Sequence, residues 1–171
     1  MQEKKSEVLQ AKLGTLRKTD DGRAYVHFER LLNHSIERVW KLVTDANELA
    51  VWFPGLTLQS YQGGKFEIWF GGKCEGPPHV SGIVTKYDPP NELVMGSMRY
   101  KLTATPTGCR LVFTDILHFD GVRSNKDFSN SVLGGWHMYM DTLVYALEGG
   151  DVNPQGTAEF DYSKVDVLGR D

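Results

Sequence analysis

The stretch from Ser124 to Gly150 constrains the fold more than any other part of the chain. Its apolar residues Val132, Trp136, Tyr139, Leu143 and Leu147 recur at steps of three and four, the spacing that places side chains on one face of an α-helix. No other segment keeps that spacing for as long. At about 1.5 Å per residue, a helix from Asn125 to Leu147 is roughly 34 Å long, enough to cross a small domain from end to end. Gly134 and Gly135 interrupt it just before Trp136, where two weak helix formers need a reason. Either the helix packs closely or kinks there, or a cavity or ligand approaches its backbone.

A helix of this kind needs a partner layer, and the length of the chain limits what that layer can be. The 171 residues, 40% hydrophobic and 24% charged, suffice for one globular domain with a buried core and leave no room for a second. The expected organisation is a polar N-terminal extension over 1–12, the domain over 13–150 and a tail over 151–171. In that tail, Phe160, Tyr162 and Val165 either pack back on the domain or stay free of it. A net charge of -3 with both signs mixed along the chain offers no basic face for nucleic acid or an anionic membrane. No run approaches the length of a transmembrane helix. Cys74 and Cys109 belong to no CxxC pair, and the first residues lack the apolar core of a signal peptide. The expected location is cytoplasmic.

Leu13 to Thr19 and Arg23 to Leu32 read as two strands joined by a turn at Asp20-Asp21-Gly22. Asn33 or Ser35 can cap the helix that follows. Its buried stripe is Ile36, Val39, Trp40 and Val43, and Asp45-Ala46-Asn47 breaks it. A second short helix carries Leu49, Trp52 and Phe53 and stops at Pro54-Gly55. From Leu56 to Phe119 the chain reads as a meander of antiparallel strands. It is punctuated at Gly63-Gly64, at the loop from Gly71 to Pro78, at Asp88-Pro89-Pro90-Asn91 and at Pro106-Thr107-Gly108, with Glu92 to Ser97 and Arg99 to Thr105 as successive strands between the last two. With the opening hairpin, seven strands are expected. That order excludes a doubly wound parallel fold. It predicts an α+β domain, in which a curved seven-stranded antiparallel sheet wraps the long C-terminal helix, with two short helices after the second strand. Wherever sheet and helix do not close fully, the gap is an apolar pocket and the first place to look for function.

Chemical motifs are sparse. HExxH, GxSxG, GxGxxG, a Walker loop and EF-hand spacing do not occur, so no cofactor is expected. The segment Gly71 to Gly76 is a loop between strands without the helix start that phosphate binding exploits. His27, His34, His79, His118 and His137 lack metal-ligand spacing, so no metal is expected. His118 and Asp115, three apart at a strand end, point to opposite faces. His137 and Asp141 sit one helical turn apart and can pair. They form either a rim pair or a base held by a carboxylate. Asp115 falls on the face shared by Leu111 and Phe113, where a carboxylate must be paired, solvated or protonated. It is either a polar anchor for a ligand or a strand end in water. Phe66, Ile68, Phe70, Met95, Phe113, Trp136 and Met140 form the inward set, which is core and also the candidate pocket wall.

The order and spacing of several short runs resemble the family of homologues of the activator of heat shock protein 90 ATPase. These are Leu13-Gly14-Thr15-Leu16, Phe28-Glu29-Arg30, Val39-Trp40 with Leu42 and Thr44-Asp45, and Leu49-Ala50 with Trp52-Phe53-Pro54. Further on come Gly63-Gly64-Lys65-Phe66, Gly82 with Val84, Asp88-Pro89-Pro90, Leu93 and Gly108 with Arg110-Leu111. The last are Gly135-Trp136-His137, Asp141 and Leu143. The resemblance spans Leu13 to Gly149 and implies the START-like (SRPBCC) helix-grip fold of the birch-pollen allergen, with a hydrophobic cavity between sheet and helix. Where the family often carries a His near the end of the last strand, this chain has Asp115.

Three functions follow as expectations. The first is a non-catalytic binder of a small hydrophobic molecule. The second, implied by the resemblance, is a stress-response module that contacts a chaperone. The third is a cyclase or hydrolase using His137, Asp141 or Asp115 in the pocket, as in the polyketide cyclases of the same superfamily. In each, Trp136 should be buried between helix and sheet, and any internal cavity should touch it.

Overall fold

A computed structural model describes residues 14–117 and 126–147, with side chains described from Val132 onward in the second stretch. The expected extension over 1–12, the tail over 151–171 and His118 lie outside these residues. Thr15–Lys18 (β1) and Ala24–Leu32 (β2) form the opening hairpin. Ser35 caps Ile36–Thr44 (α1), its side chain accepting from the Arg38 amide. Asp45 then ends α1 and starts Ala46–Trp52 (α2), its carboxylate accepting from the amides of Asn47 and Glu48. One short acidic side chain thus makes two helices of what would otherwise be one. The Trp52 indole donates to the Leu42 carbonyl at 2.8 Å and locks the two together.

The strands that follow are Leu56–Leu58 (β3), Lys65–Ile68 (β4), Val80–Asp88 (β5), Glu92–Met95 (β6), Met98–Thr105 (β7) and Gly108–Ile116 (β8). They make one antiparallel sheet in the order β1-β2-β8-β7-β6-β5-β4-β3. The helical pair carries the chain from β2 to the far edge at β3, and the meander returns until β8 pairs beside β2. The sheet therefore has eight strands where seven are expected. The expected runs Glu92 to Ser97 and Arg99 to Thr105 are both present, as β6 and β7, paired through Met95 and Met98 about a tight turn at Gly96, at φ +58; the expected count of seven is one short of the runs it was built from.

Registers fix which side chains share the inner face. Val26, Asp115 and Met98 form one cross-strand row, Phe28, Phe113, Tyr100 and Leu93 the next, and Arg30, Leu111 and Leu102 a third. Phe66 lies across two glycines. A Cβ at Gly82 would come within 2.8 Å of its ring and one at Gly96 within 2.9 Å, so the bend of the sheet is filled by an aromatic side chain instead of by local Cβ atoms.

Lys126–Leu147 (α3) is the helix the spacing predicts. It covers the inner face with Leu133, Trp136, Met140, Leu143 and Leu147, and Trp136 is only 5% exposed. Gly135 behaves differently from either expectation. Helix α3 runs through both glycines unbroken, Gly135 is exposed, and a Cβ there would meet nothing within 4 Å. Neither close packing nor a ligand accounts for Gly135, because it faces away from the sheet. Gly135→Ala is therefore expected to stabilise the domain by about 0.5–1 kcal/mol, through lower chain entropy in the unfolded state. Chemical denaturation of the two proteins checks this, and an unchanged or lower midpoint would contradict it.

Candidate interior site between the sheet and the long helix

Of the inward set, Phe66, Ile68, Met95, Phe113, Trp136 and Met140 are buried as expected. Phe70 is not, being 45% exposed. Strand β4 ends at Ile68, and the turn from Trp69 to Gly72 breaks the alternation that would have pointed Phe70 inward. Its ring instead sits at the margin, 5.8 Å from His79 and 6.4 Å from Tyr139. From there aromatic rings continue inward. Tyr139 stacks on Phe53 at 4.0 Å and lies 5.7 Å from Trp136. Trp136 lies 4.6 Å from Phe113, which lies 4.8 Å from Tyr100.

Two polar groups of different character interrupt this apolar layer. The first is built on Asp115. One carboxylate oxygen accepts from the Ser97 hydroxyl at 2.6 Å and the other from the Trp136 indole at 3.0 Å. The inner-face parity predicted for Asp115 holds, and its acid is tied to the helix. The Tyr100 hydroxyl, on the neighbouring strand, is buried and makes no hydrogen bond. Burial, with Asp115 and Tyr139 nearby, raises its pKa far above the usual phenol range, so it stays neutral.

The second group lies where α3 crosses β2 and β1. His137, 2% exposed, accepts through Nε2 from the Gly14 amide at 2.9 Å. Its ring meets the edge of Phe28 at 4.7 Å. Arg30 is 2% exposed, and its guanidinium lies 5.7 Å from the Phe28 ring centre. Arg30 Nη1 donates to the Glu29 carbonyl at 2.9 Å, and Nη2 is 3.9 Å from Asp141. Burial and the Arg30 charge push the His137 pKa down to about 4, so the ring is neutral near pH 7. His137 is thus a buried acceptor joining α3 to the start of β1.

Asp141 and His137 do share one helix face, as their spacing predicts, but both engage the sheet. Arg30 and Tyr100 are the residues that sequence reasoning missed. Counting by twos from Val26 and Phe28 reaches Arg30, and counting back from Leu102 reaches Tyr100; charge and hydroxyl masked the alternation. His79 accepts from the Phe70 amide at 3.1 Å and lies on the rim. No group of three or more His, Cys, Asp or Glu side chains suited to a metal occurs among the described residues. Elsewhere, a surface pocket of about 350 Å³ is lined by Lys65, Glu67, Pro78, Ser81 and Ile83 around Phe66 and Gly82. It does not touch Trp136.

Residues 33–148 match the family described as Activator of Hsp90 ATPase homolog 1-like protein. The match covers most of the chain, including both short helices, β3 to β8 and α3. The chain belongs to this family. Solved structures agree on the helix-grip fold. A conserved protein of unknown function from Enterococcus faecalis superposes with a TM-score of 0.67 at 20% identity, covering 88% of this chain and 84% of that one. CalU16 from Micromonospora echinospora gives 0.59 at 19% identity, with 79% and 83% covered. A protein from Mesorhizobium loti gives 0.60 at 19% identity, with 75% and 99% covered. At such identities the likeness carries the fold alone. No curated protein matches the chain in sequence. Among the described residues, no helix is long and apolar enough to cross a membrane.

Proposed function

We propose that this Hsp90 ATPase activator homologue is a binding domain whose partner is a chaperone of the heat shock protein 90 class. The observation that carries this reading is the family match over residues 33–148. A surface for a protein partner is available on the outer face of the sheet. Arg17, Lys86, Arg99, Lys101 and Arg110 are exposed there beside Leu31, which is 72% exposed. Glu29 pairs with Arg110, and Glu92 with Lys86 and Arg99. Counting Lys65, cations outnumber the carboxylates Glu29, Glu67, Asp88 and Glu92 on this face, within a chain of net charge -3. Such a patch steers an acidic surface toward it. His137, the side chain best suited to base catalysis, is buried and occupied by the Gly14 amide, which favours holding over turnover. Titration of the purified chain with heat shock protein 90 is expected to give saturable binding. Arg17→Glu with Lys101→Glu should weaken it about ten-fold at low salt. Absence of binding, or binding indifferent to the charge reversal, counts against this partner and this face respectively.

A second reading is favoured by a separate observation, the orphan Tyr100 hydroxyl within the aromatic layer. In it, the space between sheet and α3 holds a small hydrophobic molecule. Lipids, flavonoids or polyketide-like compounds should then raise the melting temperature of the free domain. If none does, the interior is only a core.

A further inference from the structure

The start of β1 fixes where the chain before it must go. At Gly14 the backbone is pressed onto the inner face of the sheet. A Cβ there would lie 2.4 Å from the Phe28 ring, and the Gly14 amide donates to His137 of α3. The chain therefore enters the sheet from the flank of the helix. Its direction is also set. Strand β1 runs antiparallel to β2, and α3 runs the same way as β2, since His137 meets Phe28 and Asp141 meets Arg30 two residues further on. Traced backwards from Gly14, the line of β1 thus advances along α3 from His137 toward Asp141 and Tyr145.

Among the described residues, what lies along that line is uncovered. Strand β1 is the edge of the sheet and pairs with β2 only from Ala24 to His27, so β2 has no strand partner on this side from Glu29 to Leu32. Helical spacing gathers Gly134, Met138, Val144 and Tyr145 around His137 and Asp141. The first three are half-buried, and Tyr145 is 61% exposed. From Val132 to Leu147, Asp141 is the only Asp, Glu, Lys or Arg, whereas a helix that faces water carries charges on its outer side. An open strand edge beside an apolar helix flank is a place where chain is added.

We propose that the segment immediately before Gly14, Ser6 to Leu13, is a strap that closes this groove, lying along α3 between His137 and Tyr145. Its composition fits. Val8, Leu9, Ala11 and Leu13 supply apolar contacts, and Lys12 supplies a cation on the side of Asp141. Its length fits as well, because eight residues reach about 12 Å even when helical, the rise from His137 to Tyr145. The Gly14 to His137 hydrogen bond pins the end of the strap where it joins the sheet.

Paramagnetic broadening in the full chain tests the strap. Cys74→Ser removes the exposed thiol and Cys109 is buried, so Ser6→Cys takes a nitroxide label at position 6 alone. The amide signals of Met138, Asp141 and Tyr145 should be lost, while those of Lys65 and Ser81, at the far end of the sheet, remain. Leu9→Asp sets a charge against the apolar flank and should restore the lost signals while leaving those of the sheet unchanged, which shows that the domain is still folded. No loss at α3, or a loss that survives Leu9→Asp, overturns the proposal. So does a loss transferred in a mixture from nitroxide-bearing chains to isotope-labelled chains without nitroxide, which would seat the segment on a second copy. Loss of the same α3 signals from a label at Ser163→Cys and not from position 6 would give the groove to the C-terminal tail and overturn it as well.

Discussion

Asp141→Ala is expected to lower the unfolding free energy by about 3 kcal/mol, although Asp141 is a partly exposed acid on a helix. The reason lies with Arg30. Its side chain is 1% exposed, its Nε and Nη2 make no hydrogen bond, and Asp141, 3.9 Å away, raises its pKa against the lowering effect of burial. A guanidinium does not escape by losing its proton, so removing the carboxylate leaves a buried charge with only the Glu29 carbonyl and the Phe28 ring to answer it. A cation over an aromatic ring offsets only about 0.5–2 kcal/mol. The same logic makes a second expectation for the pair. Arg30→Met with Asp141→Leu removes both charges and should recover most of the loss, because apolar side chains of similar volume replace buried ion pairs at little cost. Urea titrations of the single and double variants decide it through the midpoint at constant slope. A single variant within about 1 kcal/mol of wild type would show that water, not Asp141, compensates Arg30.

Acidification between about pH 6.5 and 4 should cost this domain on the order of 2 kcal/mol through His137 alone. The unfolded histidine takes up a proton near its ordinary value of 6.5, whereas burial and the Arg30 charge delay this in the folded state to about 4. Between those values the unfolded state binds more protons, so stability rises with pH across that window. The contribution is complete above it and is lost as pH falls through it. Structure gives the loss a location. Nε2 accepts from the Gly14 amide, so a protonated ring would set two donors against each other and add a second positive charge beside Arg30. The carboxylates of Glu29 and Glu92, both held below 4.5 by their ion-pair partners, begin to lose their contributions as pH falls through about 4.5, and do so alike with or without His137. His27 on the outer face is also shifted down by burial, so comparison with His137→Gln isolates the interior histidine. The amide oxygen of glutamine can still accept from Gly14 but does not titrate. From pH 7 to pH 4 the unfolding free energy of the wild type should fall more than that of His137→Gln, by about 2 kcal/mol. Parallel curves would mean that the buried ring does not carry the pH dependence.

Both effects depend on side chains whose importance the linear chain conceals. Period-three-and-four spacing identified α3 and its buried face, since helical geometry alone decides which residues align. Turn residues placed β1, β2, α1, α2 and the meander for the same local reason, and alternation along β8 put Asp115 on the inner face. Phe70 shows where that counting stops being valid, because a strand's period ends with its ladder hydrogen bonds, and β4 ends at Ile68. Gly135 shows the converse error, in which a residue beside an important one is credited with its neighbour's role; Trp136 faces the sheet, while Gly135 faces away.

By itself, then, the sequence determined the α+β architecture, the helix-grip order of elements and the family, all of which rest on local periodicity and on the order of short motifs. Only the tertiary structure decided the partners. Asp115 meets Ser97 and Trp136, His137 meets Gly14 across 123 residues, Arg30 faces Asp141, and the Tyr100 hydroxyl makes no hydrogen bond. The physical reason is that a side chain's face follows from the dihedral angles of its own element, whereas what it touches depends on how a sheet of eight strands curves over a helix more than a hundred residues away from β1.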